Sequence, residues 1–244
     1  MKTIRLLTVS STNSWLAAEG DALGGECLVY AVEQTAGRGQ RGNSWEAEPG
    51  KNLTGSFLLF PEGIEPASQF FVSEAVALAV TDLLASIGVE AKVKWPNDIY
   101  VADRKIAGIL IEHSVMGRKI CRTIAGVGLN LNQREFRSDA PNPVSVVQLT
   151  GEEQDVDEAA RLLGERVVER MKQAAADATT LHSDYLLRLW RGDGAFYPFL
   201  HVAEGARFAG RIVGIDPDGT LHISDSAGNG YDFLFKEVEF LLGE

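Results

Sequence analysis

Two short apolar runs rich in strand formers, residues 27–32 (CLVYAV) and 53–60 (LTGSFLLF), stand out in the first quarter of the chain. Residues 33–52 between them stay polar, and a loop of about twenty residues inside a compact domain is uncommon and usually functional. Ser68 stands where a helix cap belongs, and Val72, Val76, Ala79, Val80, Leu83 and Ile87 follow at helical spacing up to Gly88. Segments 91–95, 98–101, 105–113 and 119–131 then read as strands, separated by turn residues at Pro96-Asn97, Ala102-Asp103 and Met116-Gly117. A second helix begins near Asp155, with Glu158 as capping-box partner and Val156, Ala160, Leu163, Val167 and Met171 as its apolar stripe. Leu181, Tyr185 and Leu189 mark a third over 181–190. From Gly192 the helical period is gone. Strand candidates at 207–215, 220–224 and 231–235 alternate with the turn clusters DPDG and SAGNG, the pattern of a small antiparallel barrel. The expected fold class is α+β: residues 1–191 form a domain with a mixed or antiparallel sheet, and residues 192–244 a compact β domain.

Composition narrows the function. With 34 acidic against 23 basic side chains, the 244-residue chain carries a net charge of −11. That balance disfavours a protein whose main task is to neutralise phosphates along nucleic acid, and leaves room for a local cationic pocket. Only Cys27 and Cys121 are present, in no paired pattern, so a reduced, cytoplasmic setting is expected. The four histidines lack metal-ligand spacing, so no metal site is expected among them. The most apolar stretch, 70–89, contains Glu74 and Asp82 and does not read as a membrane span.

Four clusters carry candidate chemistry. The segment 34–45 (QTAGRGQRGNSW) satisfies Gly-x-Gly-x-x-Gly, but it opens no helix as a dinucleotide fingerprint must, and Asn43 stands where a P-loop needs lysine. Its close glycines let backbone approach a ligand, Arg38 and Arg41 supply permanent cationic forks, and Trp45 offers a flat cover. A solvated loop with incidental arginines is the bland alternative. The second cluster is Lys94-Trp95-Pro96-Asn97-Asp98, a turn in which Asp98 would hold Mg²⁺ or orient a cation near phosphates. The third is Lys105 to Glu112 (KIAGILIE), a strand with Gly108 inside it, and interior strand glycines often mark close approach of a ligand. The fourth, Gly126-Val127-Gly128-Leu129-Asn130, leaves room for a planar group, with Asn130 able to bond a base or a loop.

Taken in order with Ser11-Thr12-Asn13, these clusters resemble the biotin–protein ligases, the biotin–acetyl-CoA-carboxylase ligases, across about residues 8–132 and loosely beyond. The resemblance implies a catalytic domain like that of class II aminoacyl-tRNA synthetases, with a central mixed sheet, followed by an SH3-like β-barrel. It implies that biotin and ATP, with Mg²⁺, yield biotinyl-5′-AMP, whose biotinyl group passes to one lysine of a biotin carboxyl carrier protein. By motif, Ser11, Thr12 and Gln34 look like contacts to the ureido ring. Gly37, Gly108 and Leu110 look like further parts of the biotin pocket. Arg38 and Lys105 resemble the groups that meet the biotin carboxylate and α-phosphate, which makes them the catalytic candidates. Gln40, Arg41, Trp45, Asp98 and Asn130 resemble the ATP side. Some members have arginine in place of Gln40, so weaker retention of the adenylate is expected here. The Ser-Thr-Asn motif begins ten residues from Met1, so a short form without the N-terminal DNA-binding domain is expected, with neither nucleic-acid nor membrane partners. The family contains monomers and dimers, and a homodimer stays open. Two rivals remain: a lipoate–protein ligase, whose pocket needs no ureido partners, and a non-catalytic biotin sensor, which needs no phosphate-activating charge.

Overall fold

The computed structural model describes residues 1–138 and 142–242, apart from the Arg41 side chain. In chain order the elements are β1 (Lys2–Val9), α1 (Thr12–Glu19), β2 (Cys27–Gln34), β3 (Leu53–Leu59), α2 (Phe70–Ser86), β4 (Lys92–Lys94), β5 (Asp98–Val101), β6 (Arg104–Met116) and β7 (Lys119–Leu129). The helices α3 (Val146–Thr150), α4 (Val156–Ala176) and α5 (Ala178–Leu187) follow. Strands β8 (Tyr197–His201), β9 (Ala206–Ile215), β10 (Leu221–Asp225), β11 (Gly230–Phe233) and β12 (Val238–Phe240) end the described chain. Seven strands form one sheet in the order β1-β2-β3-β7-β6-β5-β4. Only the β1–β2 pairing is parallel, so the sheet is mixed and the fold class is α+β.

The period of two along the strands assigns a job to each face. Leu28 and Tyr30 of β2, Phe57 and Leu59 of β3, and Ala125, Val127 and Leu129 of β7 enter the main core with α2, α4 and α5. Each fully buried leucine or phenylalanine here contributes about 1.5–3 kcal/mol of transfer free energy. The intervening residues Cys27, Val29, Leu58 and Ile124 join Leu16 of α1 in a smaller cluster on the opposite face. That face, left open beside α1, carries the candidate site. The helical stretch Pro66–Ser86, which contains α2, has the length and hydropathy of a membrane span, yet two-thirds of its most apolar window (67%) is buried within the fold. A helix apolar all round is a core helix when the protein itself covers it. Its one buried acid, Glu74, meets His182 Nδ1 at 2.7 Å.

Helix α4 is capped as expected by Asp155, whose carboxylate accepts from the Asp157 and Glu158 amides. Glu158 does not complete a capping box: its carboxylate turns to Arg161 at 2.7 Å, a stronger charge-assisted partner. The expected barrel is a five-stranded antiparallel sheet, β11-β10-β9-β8-β12, with β11 and β12 as edges rather than a closed ring. Closure would need β11 to pair with β12, and among the described residues these two strands form no ladder. Its apolar side chains Phe199, Leu221, Ile223, Phe233 and Val238 belong to the same continuous core as α2. Trp95, at the β4–β5 turn, donates its indole N–H to the Gly219 carbonyl (3.0 Å), and the Phe70 amide donates to Pro217 (3.1 Å). These contacts join the two sheets.

Candidate active site

On the open face, a chain of polar contacts runs from β2 to β6. Gln34 Oε1 accepts from the Thr12 amide (2.7 Å) and hydroxyl (3.1 Å), satisfying a donor at the start of α1. Thr12 Oγ1 meets Ser56 Oγ at 2.6 Å, and Ser56 donates to Asn13 Oδ1 at 2.5 Å. Asn13 Nδ2 donates to Glu112 Oε2 at 2.8 Å. A side chain at Gly126 would overlap the Asn13 amide, so this glycine makes the room for Asn13. Buried polar groups are costly unless paired, and this chain pairs several residues in sequence.

The glycine-arginine loop folds as a narrow hairpin. The Trp45 amide donates to Gly37 O (3.0 Å), the Gly39 amide to Asn43 O (2.7 Å), and residues Gln40–Gly42 form a single tight turn. A Cβ at Gly37 would stand 2.6 Å from the Trp45 carbonyl, and Gly42 has φ +88°. Here the glycines serve the hairpin's own closeness. Arg38 reaches across to Glu112, with Nη2–Oε1 at 2.7 Å and Nη1–Oε2 at 3.3 Å, and its Nη1 lies 3.4 Å from Ser14 Oγ.

Trp45 supplies the planar group that the strand glycines accommodate. Its indole lies over Gly128, where any side chain would overlap it, and over Gly108, whose Cβ would be 2.8 Å from Cζ3. Close approach at Gly108 and Gly128 is therefore to the protein's own tryptophan, whose buried Nε1 has no partner among the described residues. Lys105 Nζ sits 5.7 Å from the Trp45 ring centre and 2.6 Å from Asp98 Oδ1. Both side chains of that ion pair are largely withdrawn from water, 24% and 18% exposed. The β5–β6 pairing sets Asp98 opposite Gly108, which fixes the carboxylate beside the lysine's strand. Asp98 thus orients the Lys105 ammonium, one of the two roles the sequence offered it. Lys94 opposes Asp98 in the β4–β5 ladder, and burial lowers its pKa. Asp98 acts against that shift, while Lys105 and Arg191 add to it.

Ser11, Thr12, Gln34, Arg38, Gln40, Trp45, Lys105, Gly108 and Leu110 line one pocket, about 470 Å³ including its open mouth. Gly37 and Asp98 stand behind that lining. Asn130 also lies outside it, donating to Val144 O at 3.0 Å while its buried Oδ1 has no partner among the described residues. The Arg41 side chain lies outside the described residues. Sequence reasoning named Asn13, Asn97 and Gly126 within its motifs without assigning them to the ligand pocket, and it missed Ser56 and Glu112 as the supports of Asn13. The alternation Gly108–Leu110–Glu112 was a signal that Glu112 shares their face. Glu46, beside Trp45, accepts from the Arg137 amide (2.9 Å), the Ser138 amide (2.7 Å) and Gln133 Nε2 (3.1 Å). Burial pushes its carboxyl pKa up, but these bonds outweigh it and hold the group below its ordinary value.

The profile of the Biotin/lipoate A/B protein ligase family matches residues 7–130. The chain is 32% identical over 234 residues to the biotin–[acetyl-CoA-carboxylase] ligase of Paracoccus denitrificans, covering 91% of this chain and 94% of that protein. It is 34% identical over 140 residues to the bifunctional ligase/repressor BirA of Escherichia coli, covering 56% of this chain and 43% of that protein. Among solved structures, the biotin protein ligase of Aquifex aeolicus in complex with biotin and ATP superposes with a TM-score of 0.81 at 25% identity, over 98% of this chain and 97% of that one. The chain belongs to the biotin/lipoate A/B protein ligase family, and its near-full-length kinship places it among the biotin–protein ligases.

Proposed function

We propose that this chain couples biotin to ATP and then to a lysine of a biotin carboxyl carrier protein, that of acetyl-CoA carboxylase. One observation carries the reading. A single pocket has neutral hydrogen-bonding groups, Ser11, Thr12 and Gln34, on its lining together with two cations, Arg38 and Lys105. Such a pocket suits a ligand with a neutral polar head and an anionic tail meeting a second anion. In the first step a biotin carboxylate oxygen bonds to the α-phosphorus of ATP, and pyrophosphate leaves with the electrons of the broken P–O bond. In the second, the carrier's lysine nitrogen bonds to the acyl carbon, AMP leaves, and the amine loses a proton. Both anions in the first step repel each other, so fixed positive charge must offset the repulsion and the charge that develops. Arg38 and Lys105 serve that role, which needs no side-chain nucleophile.

Within this reading Ser11, Thr12 and Gln34 hold the ureido ring, with Gly108 and Leu110 as its walls and Gly37 behind them shaping the loop. Trp45, Gln40, Arg41, Asp98 and Asn130 make the nucleotide side. Asp98 is committed to Lys105, so Mg²⁺ would enter on the nucleotide's phosphates, the usual mode for ATP-bound magnesium. There it would neutralise phosphate charge. Residues 1–191 carry the chemistry, and residues 192–244 support it through Trp95. Cys27 and Cys121 as free thiols suit a reducing cytoplasm.

Biotin-dependent exchange of labelled pyrophosphate into ATP tests the first step, and transfer of labelled biotin to an apo carrier domain tests the second. Exchange driven by lipoate instead would assign the chain to lipoate ligation, and no exchange with either would leave a sensor.

A further inference from the structure

Among the described residues, the side-chain hydrogen bonds that tie the segment 37–44 to the rest of the fold are all made by Arg38. The bonds of Gly37, Gly39 and Asn43 close the hairpin on itself. Beyond the packing of Trp45 at the hairpin's foot, the polar tether of the loop above the pocket is what Arg38 holds, and that is chiefly Glu112. Glu112 is itself fixed. Its Oε2 also receives Asn13 Nδ2, and Asn13 is buried, locked to Ser56 and seated in the space that Gly126 leaves. We propose that Glu112 is a positioning residue for the activation step, setting the Arg38 guanidinium, and with it the loop, over the pocket. The proposal rests on the biotin-activating function above.

The donor count supports it. A guanidinium has five N–H groups, and the carboxylate needs only two of them for its paired contact. Ser14 lies within reach of a third. Glu112 can thus keep its hold on Arg38 while other N–H groups remain for a substrate anion. A bidentate carboxylate also fixes the plane of the fork, which a single contact does not. A like role for a neutral amide would keep one hydrogen bond and lose both the charge and the second acceptor.

The test is a double-mutant cycle in the full-length protein, with biotin, ATP and labelled pyrophosphate as probes. Three quantities are read: exchange kcat and KM, the half-life of bound biotinyl adenylate, and the thermal midpoint. Glu112→Gln is expected to lower kcat and adenylate half-life by about twofold to fivefold, the worth of one partly exposed bidentate pair. Biotin KM should stay within about twofold and the midpoint unchanged, because the amide's remaining oxygen still accepts from Asn13 Nδ2 while the fork loses its setting. On the Arg38→Ala background, Glu112→Gln should add nothing, because the residue acts through Arg38. A further loss on that background overturns the proposal, and so does faster exchange in Glu112→Gln, which would make the pair a restraint. If Glu112→Gln fails to fold, the same cycle with Glu112→Asp decides, since it keeps the charge at a shorter reach. Wild-type protein without biotin-driven exchange would remove the underlying function, whereas normal wild-type exchange with additive mutants removes only the role of Glu112.

Discussion

Replacing Lys105 by alanine separates chemistry from scaffolding at the centre of the site. Two effects are expected, and they are measured by different assays. The chemical one is loss of a cation facing two anions, which by analogy with deletion of one preorganised oxyanion donor costs about 10²–10³ in rate, or about 3–4 kcal/mol. The structural one is the carboxylate of Asp98 left without the ammonium now 2.6 Å away. An orphaned buried acceptor costs about 1–3 kcal/mol. Asp98 keeps 18% of its side chain exposed and has Lys94 across the ladder, so the low end, about 1 kcal/mol, applies. For a chain of this length that corresponds to a fall of about 2–4 °C in the thermal midpoint. A companion variant, Lys105→Met with Asp98→Asn, removes both charges and keeps the apolar stem. Pairs replaced by neutral groups of like volume are commonly near-neutral in stability, so its midpoint should return to wild type. Exchange at saturating biotin and ATP should stay as low as in Lys105→Ala. Near-normal exchange in Lys105→Ala would refute the reasoning. Recovery in the double variant would do so in another way, because it would reduce the lysine to a counter-ion for Asp98.

Three further expectations follow from other parts of the fold. Gly128→Ala forces the Trp45 indole off β7, and overpacking of this kind typically costs about 1–3 kcal/mol, so ATP KM should rise about tenfold with biotin KM little changed. An unaltered ATP KM would remove Trp45 from the nucleotide side. Gln40→Arg should lengthen the half-life of bound biotinyl adenylate by adding a cation at the loop tip; an equal half-life in both proteins refutes a leaky site. The Glu74–His182 pair sets a pH dependence of stability. Burial holds the Glu74 carboxyl above its ordinary pKa, and the Glu74 contact holds the His182 imidazole above its own. Both groups keep protons in the folded chain that the unfolded chain gives up, so stability falls as pH rises through the raised His182 value, above the ordinary 6.5. Thermal midpoints from pH 6 to 9 should drop less in Glu74→Gln, and identical profiles would exclude the pair as the cause.

The sequence disclosed elements that bury an apolar stripe and concealed those that do not. Helix α2 was evident from Val72, Val76, Val80 and Leu83, all of which are buried. Strand β1 was not, because it is an edge with a mostly exposed pattern, leaving no alternation to detect. Helix α1 was hidden for a related reason: it spans eight residues and buries Thr12 and Asn13 rather than an apolar stripe. In the C-terminal part, β8 carries Pro198 and β12 is three residues long, and the missing pair includes the edge that keeps the sheet open. At the site, the glycines announced themselves but their partners did not. Gly128 answers to Trp45 and Arg38 to Glu112, pairings across long sequence separations that spacing alone cannot reveal.

How a chain of net charge −11 receives two anions follows from the way its site cations are held. Lys105 and Arg38 each have a carboxylate of their own, Asp98 and Glu112, so the charge of these two is balanced before any ligand arrives. The two pairs differ in mechanics. Lys105 and Asp98 belong to adjacent paired strands, whose hydrogen-bonded ladder sets their spacing, and both are mostly shielded from water. Arg38 and Glu112 join a loop to a strand and are more exposed, 44% and 38%. Low exposure strengthens an electrostatic contact, and a rigid frame spares it reorganisation during reaction. Lys105 therefore suits the atom at which charge develops. The more exposed fork on a hairpin suits capture, since it can follow a ligand that enters from solvent and still return to a fixed carboxylate.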